Sequence, residues 1–574
     1  MDSHTLQLLE FQSIRDELGE YCLSSEGKEL IQQQGILTVP EDVHCLLSLV
    51  SEYRRILAGG SPFPALDFPP IRPLLRPLTK QGTVLEAEEL AAVGRYILSS
   101  KRLKRFLFRN VEAPAAVGGA TVAGGASALG EKAGEIPDLD GLSKEIFRTV
   151  DREGRLKESQ IPELKAISRR LSGMRREVDR LVARYLSQPE YQSYWQNDRP
   201  TQRDGRMVLA LKANFKGRIK GIVHELSSSG ATVFIEPLDL VDRNNDIIHE
   251  QNAYRREAIR FLRALTAKAY QSRADLADMV EKVSFLDSLY ARARYAVIHR
   301  CFPAVYRQGE IRLSEARHPL LGPGAVPIDV EIGDPTRMLI ITGPNTGGKT
   351  VSLKTVGLLS LMNQFGMEIP AAEGSALGVH DNFFADIGDE QSIEQSLSTF
   401  SSHIVSLSRI VRESTSRSLV LLDELGAGTD PEEGVAIAMA LLDHFIEKGS
   451  LTLATTHHGI LKNYGYTRQG VQNASMEFDR TSLVPTFRMI IGIPGESHAL
   501  EIAERVGMTN EITRNARSYL NDERNDISEL IKRLSEKQRQ LLETEKSHRE
   551  RETELKEKQR NTDLLQLRLR QREM

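Results

Sequence analysis

The pattern of apolar positions predicts that the first part of the chain is helical. Apolar residues recur at helical spacing over residues 1–112, and the same spacing returns over 140–194 and 239–297. We therefore predict a mostly helical region over residues 1–300. In its first helices the recurring positions are Leu6, Leu9, Ile14 and Leu18.

Two stretches interrupt this helical pattern. Residues 113–136 are mostly alanine, glycine and other small residues with repeated glycine pairs, so we predict a flexible insertion in preference to a helix packed through small side chains. Between Gly205 and Pro237, alternating and β-branched residues with glycine punctuation predict strands and tight turns. We interpret residues 205–237 as a small β element inside the helical region.

The pattern changes to alternating strands and helices after about Cys301. The runs TRMLIITG, SLVLLDE and SLTLATTH are continuous and apolar, as in strands that are buried on both faces, and helical stretches separate them. We predict an α/β domain over residues 301–515. Residues 521–574 predict a charged helix or a weak coiled coil, since His548 interrupts the apolar heptad positions.

Composition narrows the class of protein. The chain has 574 residues, enough for several domains, with 40% hydrophobic and 27% charged residues. A formal charge of -4 excludes a bulk cationic nucleic-acid binder but leaves a local basic face open. The three cysteines show no paired spacing that would suggest disulfides or zinc. Without a signal peptide or an apolar run of about 18 residues, we expect a cytoplasmic protein with no membrane partner.

One helical stretch is strongly basic. A solvated surface is the usual interpretation of such a run, and an arm that follows nucleic-acid phosphates is the alternative. The arginines concerned are Arg169, Arg170, Arg175, Arg176, Arg180 and Arg184.

A glycine-rich loop follows the first apolar strand of the α/β domain. It fits the pattern G-x-x-x-x-G-K-[ST] between a predicted strand and a predicted helix, the context in which backbone N–H groups bind phosphate. We expect a nucleoside triphosphate here, with Lys349 reaching its β- and γ-phosphates and the Thr350 hydroxyl ligating Mg²⁺. The predicted ATP-binding residues are Gly343, Pro344, Asn345, Thr346, Gly347, Gly348, Lys349 and Thr350.

Two carboxylates end the second apolar strand. In LVLLDELGAGTD, Asp423 is placed to hold the hydrated Mg²⁺ and Glu424 to polarise an attacking water. An acidic exit from a strand is the ordinary interpretation of such a pair. The separation of Asp423 from Lys349 suits adjacent strands of one nucleotide-binding fold, which favours the catalytic interpretation.

Three further stretches are candidates for the same chemistry. Ser398 is predicted to cap a helix and to form a second anion site, although an ordinary capped helix would look the same. His457 follows the third apolar strand, where it could contact a γ-phosphate or be merely structural. Residues 492–520 predict a helix-turn-helix with few exposed basic residues, so dimerisation is favoured over DNA binding.

At these residues the chain resembles the MutS family of dimeric ATPases. The stretches GPNTGGKT, STF, DELGAGTD and TTHH stand in that family's order, and EARHPLL precedes them as a similar stretch does there. The helical first half and GRIKGIVHELSSSGATVFIEP look like the second bacterial branch, endonuclease MutS type two.

The resemblance implies a fold and a mechanism. An ABC-type P-loop ATPase domain would follow a mostly helical core, lever and clamp region with its small β element, and the charged helix would come last. A homodimeric clamp would open and close with ATP and Mg²⁺. Lys349, Glu424 and His457 would be catalytic, and Ser398 of one subunit would complete the site of the other.

Two departures from the wider family matter. The mismatch-reading and connector domains have no counterpart here, which disfavours mismatch repair. The small β-barrel-like module and the small MutS-related nuclease domain that usually follow the charged helix are also missing from this sequence. We therefore expect a truncated chain, and no nuclease activity from these residues.

The resemblance leaves two substrates open. Members of the branch are linked to splitting stalled or collided ribosomes, recognised through rRNA, and to suppressing recombination on branched DNA. The modest charge and the absent mismatch reader favour the ribosome slightly. Chromosome-maintenance ATPases of the long coiled-coil type and transporter subunits are weaker alternatives, because of the short stretch between Lys349 and Asp423 and the helical first half. A non-hydrolysing scaffold is disfavoured by the intact carboxylates.

Overall fold

The computed structural model describes most of the chain. It covers residues 2–76, 78, 82–111, 127–343, 347–388, 399–479, 484–494, 500, 503–504 and 507–520, with the single positions 537, 551 and 558. The predicted charged helix over 521–574 therefore lies almost wholly outside the described residues. Within the described part, no helix is both long and apolar enough to cross a membrane.

The helices and strands follow each other along the whole described chain. The helices are α1 (Ser3–Leu8), α2 (Phe11–Glu20), α3 (Ser25–Gln33), α4 (Pro40–Ala58), α5 (Arg72–Leu75), α6 (Ala87–Val111), α7 (Ala128–Gly134), α8 (Asp140–Thr149), α9 (Pro162–Ser187), α10 (Leu238–Gln271), α11 (Arg273–His299), α12 (Lys349–Gln364), α13 (Thr399–Glu413), α14 (Pro431–Lys448), α15 (Gly459–Thr467) and α16 (Asn510–Leu520). The strands are β1 (Thr201–Arg203), β2 (Arg206–Lys212), β3 (Gly221–Leu226), β4 (Thr232–Pro237), β5 (Val305–Tyr306), β6 (Ile311–Ala316), β7 (Ile328–Ile332), β8 (Met338–Thr342), β9 (Ala376–Leu377), β10 (Phe383–Asp386), β11 (Leu419–Leu422), β12 (Leu451–Thr456), β13 (Val471–Asp479) and β14 (Val484–Ile491).

The chain divides into two compact units. One unit comprises Cys22–Leu30 and Ser61–Ser288, and the other comprises Met1–Tyr21, Ile31–Gly60 and Leu289–Met574. Long helices dominate the first of these units, with one small sheet among them. The second unit contains two sheets, of which the larger carries the glycine-rich loop.

The small sheet has four antiparallel strands in the order β1-β2-β4-β3. Strand β1 lies just outside the predicted 205–237 element and pairs with β2. The inward positions of β2 and β4, together with Trp195, form a buried cluster with apolar residues of α9 and α10. A sheet with one apolar face needs such a cover, which the two helices supply.

The predicted flexible insertion over 113–136 is wrong for its last part. Residues 112–126 lie outside the described residues, but Ser127 caps α7 by accepting the N–H of Gly130 at 3.1 Å. Leu129 and Ala133 are fully buried. They stand one helical turn apart, so even this small-residue segment presents an apolar stripe that orders it.

The larger sheet has six strands in the order β10-β11-β12-β8-β13-β14. All neighbours are parallel except β13 and β14. Helix α12 contacts Leu421 on one face, whereas Val420 and Leu422 pack with α13 and α14 on the other. Helices on both faces explain why strands such as β8 and β11 are buried along their whole length.

The expectation of adjacent strands for Lys349 and Asp423 is wrong. Strand β8 precedes the loop that ends at Lys349, strand β11 precedes Asp423, and β12 pairs with both of them in the middle. All six residues of β12 are buried, as expected for a strand that is paired on both edges and covered on both faces.

Close contact between α12 and the sheet generates a stability prediction. A Cβ added to Gly357 would lie 2.5 Å from Leu421 Cδ1 and 2.9 Å from Leu9 Cδ2, both in buried side chains. We expect Gly357→Ala to lower the free energy of unfolding by about 1–3 kcal/mol through overpacking. Chemical denaturation measures this change.

A glycine in open space provides the matched control. A Cβ added to Gly173 in α9 would meet no atom within 4 Å. Gly173→Ala should therefore stabilise its helix by about 0.5–1 kcal/mol. An equal gain in stability for both substitutions would contradict the close contact at Gly357.

Candidate functional site

The loops that carry the predicted site residues begin at one edge of the larger sheet. Strands β8, β11 and β12 are parallel, and Thr456 at the end of β12 pairs with Thr342 at the end of β8. Because the carboxyl ends of parallel strands share an edge, the segments after Thr342, Leu422 and Thr456 emerge together. This edge is where ligands bind in open α/β sheets.

The glycine-rich loop connects β8 to α12 through backbone that favours glycine. Gly343 has φ 135° and Gly348, the N-cap of α12, has φ 93°. A side chain at Gly348 would also lie 3.2 Å from the Phe487 ring. The N-terminal end of the 16-residue helix provides positive potential for an anion. Pro344, Asn345 and Thr346 lie outside the described residues.

Lys349 is buried at the start of α12. The residue is only 1% exposed, and its Nζ donates a hydrogen bond to the Gly343 carbonyl at 2.7 Å. Burial lowers the pKa of Lys349, whereas the nearby charges of Glu424 and Asp423 raise it. A cation removed from water interacts more strongly with a phosphate than a surface lysine does.

Thr350 and Asp423 meet across the site. The Thr350 hydroxyl donates to Asp423 Oδ2 at 2.6 Å, and Asp423 is only 9% exposed. A hydroxyl and a carboxylate are hard oxygen ligands that suit Mg²⁺, which takes its remaining ligands from water and substrate phosphates. The donor set therefore fits the predicted magnesium ion.

Glu424 occupies an unusual backbone conformation. Its φ is 48°, in the left-handed region that side chains other than glycine rarely adopt. Its N–H donates to the Thr455 hydroxyl at 2.8 Å, and the next N–H, of Leu425, donates to the Thr455 carbonyl at 2.9 Å. These two bonds hold the backbone where Glu424 leaves the sheet.

Two contributors to this edge were missed by sequence reasoning. Thr455 also donates a hydrogen bond to Asp423 Oδ1. Asp386, at the end of β10, accepts the N–H of Asp423 through its carbonyl at 2.8 Å and pairs with His403 Nδ1 through Oδ2 at 2.9 Å. The sequence signal was a polar residue at the end of an apolar strand, which alone is too common to identify a site.

The two remaining predicted site residues are Ser398 and His457. Ser398 lies outside the described residues, and α13 is described from Thr399. His457 follows β12 directly and is exposed, with its ring 4.3 Å from that of His458. Partial desolvation, then the positive charges of His458 and Lys349, lower the pKa of His457. These effects favour the neutral form of its imidazole.

His458 has a structural role in the same loop. Its Nε2 lies 3.2 Å from the Gly426 carbonyl, and its N–H donates to the Thr456 hydroxyl at 3.1 Å. The loop after Glu424 is thereby tied to the loop after β12. The structure thus brings Lys349, Thr350, Asp423, Glu424 and His457 to one edge.

Comparisons with known proteins agree with this geometry. Residues 339–523 match the family model described as MutS domain V. The chain is 40% identical over 542 residues to the endonuclease MutS2 of Pelotomaculum thermopropionicum, covering 94% of this chain and 67% of that protein. It is 39% identical over 558 residues to the endonuclease MutS2 of Bacillus velezensis, covering 96% of this chain and 70% of that protein.

The chain belongs to the endonuclease MutS2 family. A third relative, the endonuclease MutS2 of Halothermothrix orenii, is 38% identical over 549 residues, covering 94% of this chain and 68% of that protein. These alignments include the helical first half as well as the α/β part. The resemblance to the MutS type two branch is therefore confirmed.

The matched MutS domain coincides with the site described above. It starts at Leu339 inside β8 and ends beyond α16, so that it includes the glycine-rich loop, both carboxylates and His457. A MutS2 chain with this domain is of the P-loop ATPase type, which implies ATP as its ligand. As predicted, this part of the chain has β-sheets with helices between their strands, and a helical N-terminal region precedes it.

The buried ammonium of Lys349 generates a binding prediction. Lys349→Met keeps the length of the side chain but removes its charge. We expect affinity for ATP to fall about 10-fold or more, since a hydrogen bond to a charged group contributes roughly 1.5–3 kcal/mol. The stability of the nucleotide-free protein should stay equal or rise, because a desolvated charge is lost. Thermal unfolding with and without ATP measures both effects.

Lys354→Met is the control on the same helix. Lys354 pairs with Glu10 Oε1 at 2.6 Å and belongs to a different surface. This variant should keep the full stabilisation by ATP. If Lys349→Met were stabilised by ATP as strongly as Lys354→Met, the phosphate role of Lys349 would be refuted.

Proposed function

We propose that this chain is an ATPase that hydrolyses ATP with Mg²⁺ at the edge formed by β8, β11 and β12. The observation that carries the proposal is the 2.6 Å bond between Thr350 and Asp423 beside the buried Lys349. These side chains come from separate segments of the chain. Their proximity allows one site both to attract the phosphates and to bind the metal ion.

Each residue has a part in the proposed reaction. Lys349 and the loop N–H groups bind the β- and γ-phosphates, and Thr350 and Asp423 hold Mg²⁺, which supplies charge neutralisation on the phosphate oxygens. Glu424 orients a water molecule toward the γ-phosphorus and accepts its proton as the bond to the leaving ADP oxygen breaks. Neutral His457 donates a hydrogen bond to the γ-phosphate and reports its presence.

The proposed active form is a homodimer. Ser398, which precedes α13 in the sequence, completes the site of the opposite subunit, and the helix-turn-helix near 492–520 contributes to dimerisation. In this proposal residues 301–515 form the ABC-type ATPase domain. Residues 1–300 form the core, lever and clamp, which move as ATP binds and is hydrolysed.

A nucleic-acid-containing substrate is the proposed cargo of the clamp. Two arginines of α9 are committed to α10, since Arg170 pairs with Glu250 at 3.0 Å and Arg184 with Asp239 at 3.5 Å. Three others, Arg175, Arg176 and Arg180, are exposed. Exposed arginines on one long helix are suited to contacts with phosphates, which supports the alternative interpretation of this basic stretch.

The cargo divides the proposal into a main form and an alternative. The main form is rescue of collided ribosomes by splitting them into subunits, and the alternative is binding of branched DNA to suppress recombination. Both place the protein in the cytoplasm.

The word endonuclease in the names of the relatives refers to those proteins. Across the described ranges, no group of three or more His, Cys, Asp and Glu side chains is arranged for a metal ion.

Glu424→Gln tests the hydrolytic role. The amide cannot accept a proton, so we expect hydrolysis to fall about 100-fold or more while ATP binding is kept. Phosphate release measures the first effect and equilibrium binding of a fluorescent ATP analogue the second. Light scattering should show a dimer that persists in ATP.

A nearby glutamate and the captured cargo complete this test. Glu432→Gln changes an exposed side chain in the first turn of α14 and should hydrolyse ATP at the parental rate. Nucleic acid that copurifies with ATP-bound Glu424→Gln is then sequenced. Ribosomal RNA in excess supports ribosome rescue, and branched DNA supports the recombination role. Parental hydrolysis by Glu424→Gln would refute the ATPase mechanism.

The exposed arginines generate a second prediction. We expect the triple variant Arg175→Ala, Arg176→Ala, Arg180→Ala to bind RNA and DNA more weakly regardless of sequence. The slope of log affinity against log salt should fall by about one for each lost phosphate contact. Fluorescence anisotropy at several salt concentrations measures this slope.

The matched control removes the same charge elsewhere in the same unit. Arg102, Arg105 and Arg109 are exposed on α6. Their triple alanine variant should keep the parental slope. Equal weakening by both variants would mean that net charge, and not α9, determines binding.

A further inference from the structure

We propose that Thr455 is a positioning residue of the nucleotide site, whose hydroxyl sets the Asp423 carboxylate relative to the backbone of Glu424. The inference rests on the proposed roles of Asp423 and Glu424 in ATP hydrolysis. Thr455 itself is fully buried and would contact neither nucleotide nor water. It acts through its two neighbours.

The position of Thr455 in the sheet explains why it contacts both Asp423 and Glu424. Strand β12 lies between β11 and β8, and Thr455 pairs with Ile341 of β8. On its other side the chain leaves β11 after Leu422 and bends back, so that the Leu425 N–H donates to the Thr455 carbonyl at 2.9 Å. Asp423 and Glu424 are thus held between two points of attachment to the sheet.

The hydroxyl of Thr455 both donates and accepts a hydrogen bond. Its single proton goes to Asp423 Oδ1, and its oxygen accepts the Glu424 N–H at 2.8 Å. A hydroxyl can donate and accept through the same oxygen atom. Asp423 and Glu424, the two residues with proposed chemical roles, are therefore hydrogen-bonded to the same oxygen atom.

The other bonds of Asp423 do not replace this contact. Its N–H is used by the Asp386 carbonyl at 2.8 Å, which fixes the backbone but leaves the side chain free to rotate. Its Oδ2 accepts from Thr350 at 2.6 Å, but the Thr350 hydroxyl has a proposed second duty at Mg²⁺. Thr455 is the donor in the rigid sheet, and it holds the carboxylate plane.

Two substitutions separate the hydroxyl from the shape of the side chain. Thr455→Val keeps the volume and removes the hydroxyl, and Thr455→Ser does the reverse. We expect kcat of Thr455→Val to fall about 10- to 100-fold, the usual cost of losing an outer partner of a metal ligand. Affinity for a fluorescent ATP analogue without Mg²⁺ should be unchanged. Thr455→Ser should restore kcat to within a few-fold of the parent.

A second readout does not depend on turnover. In the nucleotide-free protein the Glu424 amide should exchange its hydrogen faster in Thr455→Val, because its acceptor is gone, and at the parental rate in Thr455→Ser. The control is Thr452→Val, a fully buried threonine of the same strand outside the site. It should change neither kcat nor exchange at Glu424, even if it melts at a lower temperature.

The outcomes distinguish this inference from the proposed function. Parental kcat and parental amide exchange in Thr455→Val would overturn the inference. A loss of kcat in Thr455→Ser as large as that in Thr455→Val would also overturn it. If Glu424→Gln hydrolysed ATP at the parental rate, the proposed function would fail instead. The exchange measurement would then still decide whether the hydroxyl holds Glu424.

Discussion

The whole site depends on how the carboxylate of Asp423 is held. Its two oxygens accept from hydroxyls of two different segments, Thr350 at the start of α12 and Thr455 in β12. These bonds connect the segments that follow β8 and β11 with β12, although β8 and β11 are not paired with each other. A buried carboxylate without such donors would be expensive, so the fold can place it here only together with both hydroxyls.

The site keeps unfavourable features that a purely stable protein would not need. Lys349 is an almost fully buried cation whose lowered pKa reports the cost of its desolvation. Glu424 holds a backbone conformation that costs a residue other than glycine about 1–3 kcal/mol. Both features persist because the neighbouring strands fix the backbone around them. Their arrangement before any phosphate binds is what preorganisation of an ATPase site means.

Sequence reasoning located the elements of the site better than it ordered them. The apolar runs around Ile340, Val420 and Leu453 became β8, β11 and β12, since strands buried on both faces need no alternation. Strand pairing depends on contacts between distant segments, so the position of β12 between the other two had no local signal. Thr455 was missed for the same reason, because its role appears only when Asp423 lies beside it.

The misjudged last part of the predicted insertion, residues 127–136, shows a different limit. Composition averaged a glycine-rich segment with the short helix α7, whose Ser127 cap and buried Leu129 are sufficient to order it. A capped turn with one apolar stripe gains tertiary packing that no window average detects. Composition therefore describes a segment well only when its residues share one environment.

Asp386 extends the same constraint to another helix. Its carbonyl accepts the Asp423 N–H and its carboxylate pairs with His403 of α13, the helix that follows Ser398 in sequence. One residue at the end of β10 therefore contacts both the backbone of the proposed metal ligand and the first turns of α13. A shift of Asp423 cannot occur without moving Asp386 or breaking a backbone bond that is shielded from water. Because such a bond is costly to leave unmade, the end of β10 and the beginning of α13 are constrained to follow the backbone of Asp423.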